Sequence, residues 1–410
     1  MKLKNIIYIA ILLFITLIGM WAVPALIHKA TYTSDQYPFV YYSTILKDIG
    51  IIDYKNKKFP MEDLKGNKYN TAQFDSLMPM LNYRQLMTDG KLPDSINGQK
   101  ITPQILRAKS VVYKYKPSDI NTLVNGLYIL FETMPKRVGL EIPDDVFRLK
   151  NSIEFIDAQT NTLETEKSQL FQQAFDKEGF QYPAQWLAGN PNPRKPYDEG
   201  YFVLDANNQL FHIKMVNGRP YVKNTKIGEK IQPVYFSMLE VADKRFYGFL
   251  FSKQGEIYII ENDGSKYKTV KLDIDPIDIQ KDEVILMGNM FDWTVSVVTP
   301  LAKKNYALDS ESLKRIAEHT IDRTSGKWDA VSKWAFPLYL TFEKSESSYI
   351  QPYFHYTGIY GFIVNIILGL SIIIFVSGSP KKKIFNGIYI LLTGVAGLIA
   401  LLILPNSKNK

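Results

Sequence analysis

The chain has 410 residues, 46% of them hydrophobic and 22% charged, with a formal net charge of +8 and no cysteine. The lack of cysteine excludes disulfides, thiolate metal sites, a cysteine nucleophile and lipid attachment through cysteine. Residues 1–27 and 351–410 hold no Asp or Glu, so all 41 acidic residues lie between them; setting aside Lys2, Lys4, Lys381, Lys382, Lys383, Lys408 and Lys410 leaves 42 of the 49 basic residues there. The middle of the chain is therefore close to neutral, which gives no support to nucleic-acid binding.

Asn5–Ile27 is uncharged. At about 1.5 Å per residue it is long enough to cross a hydrocarbon core of about 30 Å as a helix. Its apolar run outlasts that of a signal peptide, and Pro24 spoils the cleavage signal at Ala22–Ala25, so residues 1–27 predict an uncleaved transmembrane anchor. Residues 28–190 predict a mixed α/β part of a domain outside the membrane. Tyr37–Tyr42 reads as an edge strand because of Pro38. Pro79–Met87 reads as a short helix stopped by Gly90, and Ser110–Tyr115 and Leu127–Thr133 as β-rich segments. Thr162–Glu178 predicts a helix capped by Asn161, with Glu164 at the capping-box position and Gly179 as its stop. Leu163, Leu170, Phe171, Ala174 and Phe175 form its apolar face.

Ala188–Gly200, AGNPNPRKPYDEG, is a stiff loop or a subdomain boundary. Arg194, Lys195, Asp198 and Glu199 make it a candidate ligand or partner loop, set against simple loop capping. Residues 191–350 predict a β-rich, propeller-like part of the same domain. Tyr201–Asp205, Gln209–Val216 and Arg219–Lys223 form a strand triplet that recurs at Phe246–Ser252, Glu256–Glu261 and Lys266–Leu272, with a looser copy from Glu283. So few copies favour an open or composite arrangement over a closed ring. Asp309 is a candidate cap for a last soluble helix with Leu313, Ile316, Ala317 and Ile321 inside. Trp328, Trp334 and Phe336 suit either the core or the bilayer surface, and Pro337–Phe342 reads as a strand.

Residues 356–404 predict a C-terminal transmembrane hairpin, its helices centred on Gly358–Val376 and Ile384–Leu404. The short Ser377–Lys383 loop with three lysines should stay with the N-terminus in the cytoplasm, which places residues 28–355 in the periplasm and the chain in the inner membrane. On this three-span reading the C-terminus lies outside, and Lys408 and Lys410 are a mild counter-signal. Gly361, Asn365 and Gly369 share one helix face, and Thr393 and Gly397 another. These small faces serve either the hairpin itself or docking onto another membrane protein.

No cofactor or metal is predicted. His28, His212, His319 and His355 have no metal-ligand spacing. The Ser-x-x-Lys matches at Ser265, Ser379 and Ser407 lack the accompanying motifs, and acid pairs such as Asp144/Asp145 read as solvated surface.

The Arg194–Phe202 stretch, RKPYDEGYF, with Asp205 and Leu210–Lys214, resembles a family of uncharacterised Bacteroidota membrane proteins, as do Tyr83–Leu86 and Leu92–Ser95. That resemblance implies association with ABC-transporter components and transfers no catalytic residue. The expectation is a membrane-anchored α+β protein with three transmembrane helices and a β-rich periplasmic domain. Its function would be binding or scaffolding, as an accessory to an ABC-type transport system with multi-span partner subunits. The alternative is an envelope hydrolase acting on a glycan or peptide.

Overall fold

The computed structural model describes residues 2–31, 37–56, 58, 60–124, 126–264, 266–375 and 378–404. It divides into two compact units, Tyr37–Ile321 and the joined ends Met1–Gln36 with Asp322–Lys410. Ser265, Ser377, Ser407, Lys408 and Lys410, named above, lie outside the described residues.

The chain begins with helix α1 (Lys2–Thr31). The central unit then opens with an antiparallel meander of β1 (Phe39–Ser43), β2 (Asp48–Ile52), β3 (Met61–Asp63) and β4 (Lys68–Tyr69). As Pro38 predicts, β1 is an edge strand. Next come α2 (Thr71–Leu77), α3 (Tyr83–Thr88), the hairpin β5 (Ser95–Ile96)/β6 (Gln99–Lys100), α4 (Pro103–Lys109), β7 (Val111–Tyr115) and α5 (Pro117–Ile120). The helix expected from Pro79 starts only at Tyr83, because Leu81 and Asn82 donate back to the Met78 carbonyl and close a turn. In 127–133 only isolated bridges form, Tyr128 to Phe147 and Glu132 to Met215.

The hairpin β8 (Asp145–Leu149)/β9 (Ile153–Asp157) precedes α6 (Thr165–Lys177). The helix starts later than Asn161 predicts. Asp157 Oδ1 binds the amides of Gln159 and Thr160, Asn161 takes a positive φ, and Glu164 N bonds Phe155 O, so residues 161–164 extend the hairpin. Phe171 and Phe175 are buried on its inner face, whereas Leu163 and Leu170 are exposed.

Two similar meanders follow: β10 (Trp186–Gly189), β11 (Tyr201–Leu204), β12 (Leu210–Val216) and β13 (Arg219–Asn224), then β14 (Pro233–Met238), β15 (Phe246–Ser252), β16 (Ile257–Asp263) and β17 (Lys266–Lys271). The repeated triplets are real, and each gains a leading strand. A third sheet holds β18 (Glu283–Gly288), β19 (Asp292–Val298), β20 (Ala302–Asp309) and β21 (Arg315–Asp322), completed by β7 beside β18.

The helix expected after Asp309 is therefore a strand. Asp309 Oδ1 accepts from Ser312 N at 2.8 Å and Leu313 takes φ 55°, making a tight reversal rather than a cap. Ile316 then points outward, while Ala317 and Ile321 pack beside Val40, Tyr42 and Ala307.

The sheets are joined in succession by shared cores. Phe147, Phe155, Phe171 and Phe175 pack with Tyr201, Phe211 and Ile213, so sequence on both sides of residue 190 shares one core. Phe202 and Leu210 pack with Phe236 and Leu250, and Phe249 and Phe251 with Tyr113, Leu286 and Trp293. Each such buried aromatic contributes about 1.5–3 kcal/mol of burial. Every sheet has a linear strand order, and they close into neither a barrel nor a propeller.

The second unit is α1 with α7 (Lys327–Ala335), the hairpin β22 (Leu338–Thr341)/β23 (Tyr353–Tyr356), α8 (Tyr360–Phe375) and α9 (Pro380–Ile403). Trp328, Trp334 and Phe336 thus belong to a short helix and its C-cap, and Pro337–Phe342 contains the expected strand. By length and composition α1 and α9 are apolar enough to anchor the chain in a membrane. With 16 residues, α8 covers only about 24 Å of a core of about 30 Å, so the third span has weaker support. Gly394, inside α9, has φ 60° and ψ −140°, which breaks the helix there.

Candidate functional site

The proline-rich loop folds inward. Lys195 and Asp198 are buried together with Glu240, which follows β14. Lys195 Nζ lies 2.5 Å from Asp198 Oδ1 and 2.6 Å from Glu240 Oε1. Glu240 also accepts from Asn190 Nδ2 at 2.8 Å and Glu199 N at 2.9 Å, and Asp198 Oδ2 accepts from Gly200 N at 3.0 Å. Each carboxylate oxygen therefore has a donor. Burial pushes both the Asp198 and the Glu240 carboxyls upward, against the pull of Lys195 between them.

Of the four residues singled out in the loop, Lys195 and Asp198 are internal, Glu199 is half-buried against Lys214 at 2.8 Å, and Arg194 is exposed. Glu240 carries no local signal, because it lies 45 residues from Lys195, in the segment after β14. Gly200 ends the loop at φ 65°, where a Cβ would meet Ile213 O at 2.0 Å. Gly200→Ala should therefore cost more than about 1 kcal/mol, read as a lowered denaturation midpoint.

His212, in β12, continues the same network. Its ring is fully buried and stacked on Phe202 at 4.5 Å. Nε2 lies 2.5 Å from Glu199 O, so it must donate, and Nδ1 accepts from Tyr267 Oη at 2.7 Å. Burial lowers the His212 pKa to about 3 and raises the Tyr267 hydroxyl well above its ordinary value. The buried imidazole, held neutral near physiological pH, ties β12 to β17.

The central unit also has a cavity of about 400 Å³ lined by residues from Gln99 to Glu311. Arg245 forms its wall, donating to Glu261, Ser310 O and Glu311 O, beside Trp293 at 5.9 Å. Lys109 pairs with Asp243 at 3.1 Å and Lys268 with Glu261 at 3.4 Å. The cations and carboxylates balance, so the cavity suits a small polar ligand better than a strongly charged one. These residues are scattered over the sequence and leave no motif. Among the described residues, no group of three or more His, Asp or Glu is placed to hold a metal ion.

In the second unit Asn365 and Gly369 pack on α9 at Leu391, Gly394 and Gly387, whereas Thr393 and Gly397 lie against residues of α9 itself. Gly361, Asn365 and Gly369 are buried, as are Gly394 and Gly397. A Cβ on Gly369 would lie 2.8 Å from Gly387 O, and Asn365 Nδ2 donates to Leu391 O at 3.2 Å. Gly361 approaches Pro337, and Thr393 bonds its own helix at Tyr389 O. Asn365→Ala should weaken the α8–α9 pairing by about 0.5–2 kcal/mol, measurable as easier unfolding in graded denaturing detergent. His28 and His355 take part in ring contacts, with Trp328 at 4.8 Å and Tyr339 at 4.7 Å respectively.

The chain is thus an α+β protein with a large β-rich unit and apolar helices at both ends. The model of a family described as a domain of unknown function, DUF4857, matches residues 39–308, well over half of the chain, and the chain belongs to that family. No curated protein matches it. Among solved structures it is similar to PorZ, a surface component of the type-IX secretion system of Porphyromonas gingivalis, at 8% identity and a TM-score of 0.21. That match covers 70% of this chain and 32% of PorZ, and so spans about a third of the longer protein.

Proposed function

We propose that the chain is a non-enzymatic inner-membrane protein whose β-rich unit, within residues 28–355, faces the periplasm as a binding or scaffolding domain. The N-terminus and Lys381–Lys383 face the cytoplasm in this reading, since lysines are retained there. We further assign it as an accessory subunit of an ABC-type transport system, which is what its resemblance to Bacteroidota membrane proteins implies. The β-rich unit is built of antiparallel meanders, whose connecting loops are suited to meeting a partner.

The observation that carries the non-enzymatic reading is the fate of the proline-rich loop. Its lysine and carboxylates satisfy one another inside the fold, and the neighbouring histidine is sealed and neutral. A hydrolase would need such groups open to substrate in a cleft. In the cavity beside Arg245 each wall cation is likewise held by a carboxylate or carbonyl of the chain.

The test is co-purification. In mild detergent the full chain should carry a multi-span membrane subunit and a nucleotide-binding subunit with it. Recovery of the bare chain under several mild conditions would remove the accessory assignment.

A further inference from the structure

The contacts between α9 and α1 run out of order. Thr16 meets Tyr389, hydroxyl to hydroxyl, at 2.6 Å. A Cβ on Gly19 would lie 3.2 Å from Ala396 Cβ, yet Tyr8 Oη reaches Leu404 O at 3.2 Å. A straight helix lying along another touches it in steadily rising or falling order. Here the α1 partner advances from residue 16 to 19 between Tyr389 and Ala396, then falls back to residue 8 by Leu404. That return covers 11 residues of α1, roughly 16 Å.

The backbone shows where the reversal happens. The φ 60° and ψ −140° of Gly394 are close to those of the first central residue in a type II′ turn, which reverses the chain. The flanking contacts agree. A Cβ on Gly397 would lie 3.2 Å from the Tyr389 ring, eight residues earlier. Eight residues of straight helix span about 12 Å, and helical side chains lean toward the N-terminus, which would carry that ring away from Gly397. Asn365 braces the turn: its Nδ2 holds Leu391 O, and its Oδ1 would be 2.6 Å from a Cβ on Gly394.

We infer that α9 is a re-entrant helical hairpin: it enters the membrane at Pro380, turns at Gly394, and returns to the same face at Leu404. The inference rests on the membrane reading above and revises its topology. The limbs, residues 380–393 and 395–403, reach only about 21 Å and 14 Å, each short of the core of about 30 Å. Non-helical backbone is tolerated at membrane depth only where protein covers it, and Gly394 and Asn365 are both buried.

Charge supports it independently. With a straight α9, Lys408 and Lys410 would sit across the membrane from Lys2, Lys4 and Lys381–Lys383. With the hairpin all seven lysines of the apolar ends share one face, as the positive-inside rule favours. The conflict posed by the C-terminal lysines disappears, and the crossing between the lysine loop and the periplasm falls to α8 with its flanking residues.

The native chain has no cysteine, so single cysteines can report position. Full-length Lys4→Cys, Lys382→Cys, Lys408→Cys and Lys253→Cys variants would be treated in spheroplasts with a membrane-impermeant maleimide, before and after lysis. Lys253→Cys, in the exposed turn between β15 and β16, should label at once. The other three should label only after lysis. Labelling of Lys408→Cys together with Lys253→Cys, while Lys4→Cys and Lys382→Cys stay protected, would restore a straight span and overturn the inference. Labelling of all four before lysis would instead overturn the membrane reading, and the hairpin with it.

Discussion

Replacing Lys195 with methionine should destabilise the protein by about 3–5 kcal/mol, because it leaves two buried carboxylates facing each other without their cation. Lys195 Nζ is the group shared by Asp198 and Glu240, and all three side chains are almost wholly out of water. The loss should depend on pH in a definite direction. Burial already raises both carboxyls above their ordinary values, and removing the cation raises them further. A carboxyl raised in the folded state favours folding below its unfolded pKa and loses that advantage as pH rises through the folded value. The variant should therefore recover in acid and be weakest near neutrality. Adding Asp198→Asn and Glu240→Gln should restore much of the stability, since neutral partners need no cation. Denaturation of the full chain in detergent measures all of this; a single variant within about 0.5 kcal/mol of the parent would mean the cluster is solvated.

His212→Ala should cost about 3 kcal/mol or more. It opens a cavity beside Phe202, removes the donor to the Glu199 carbonyl and leaves the Tyr267 hydroxyl with Tyr221 alone. In the native protein the His212 pKa is lowered from 6.5 to about 3. The unfolded chain takes the proton first, so the stability this residue contributes is complete above 6.5 and is lost as pH falls from there toward 3. Imidazole NMR shifts should show His212 neutral throughout the mildly acidic range. Titration near 6.5 in the folded protein would mean that the ring is open to water and available for chemistry.

The parts of the fold that the sequence discloses are those with continuous local signals. Phe246–Phe251 carries no charged residue and is buried on both faces, and Asn217-Gly218 marks the hairpin of β12 and β13. The segment after Asp309 shows the limit. Ile316, Ala317 and Ile321 fit one face of a helix as well as they fit a strand with Ile316 turned out, and the choice is made by the reversal at Asp309–Leu313. In the loop, Lys195 and Asp198 can be seen as charged residues near prolines. Their burial depends on Glu240, which tertiary packing alone supplies. The break at Gly394 is hidden for a similar reason, since a glycine in an apolar run serves close helix packing just as readily as a turn. In the sequence Lys408 and Lys410 are only a mild counter-signal to a crossing run, outweighed by Lys381–Lys383.

Crosslinking the full chain in intact membranes, with mass-spectrometric identification of what is captured, tests whether the protein is a membrane-anchored binding or scaffolding subunit of a transport system. Crosslinks are expected from the β-rich unit, residues 37–321, to periplasmic loops of a multi-span transporter subunit, with the nucleotide-binding subunit in the same complex. Capture of glycan or peptide fragments with no transporter subunit would contradict that role and put the hydrolase reading in its place.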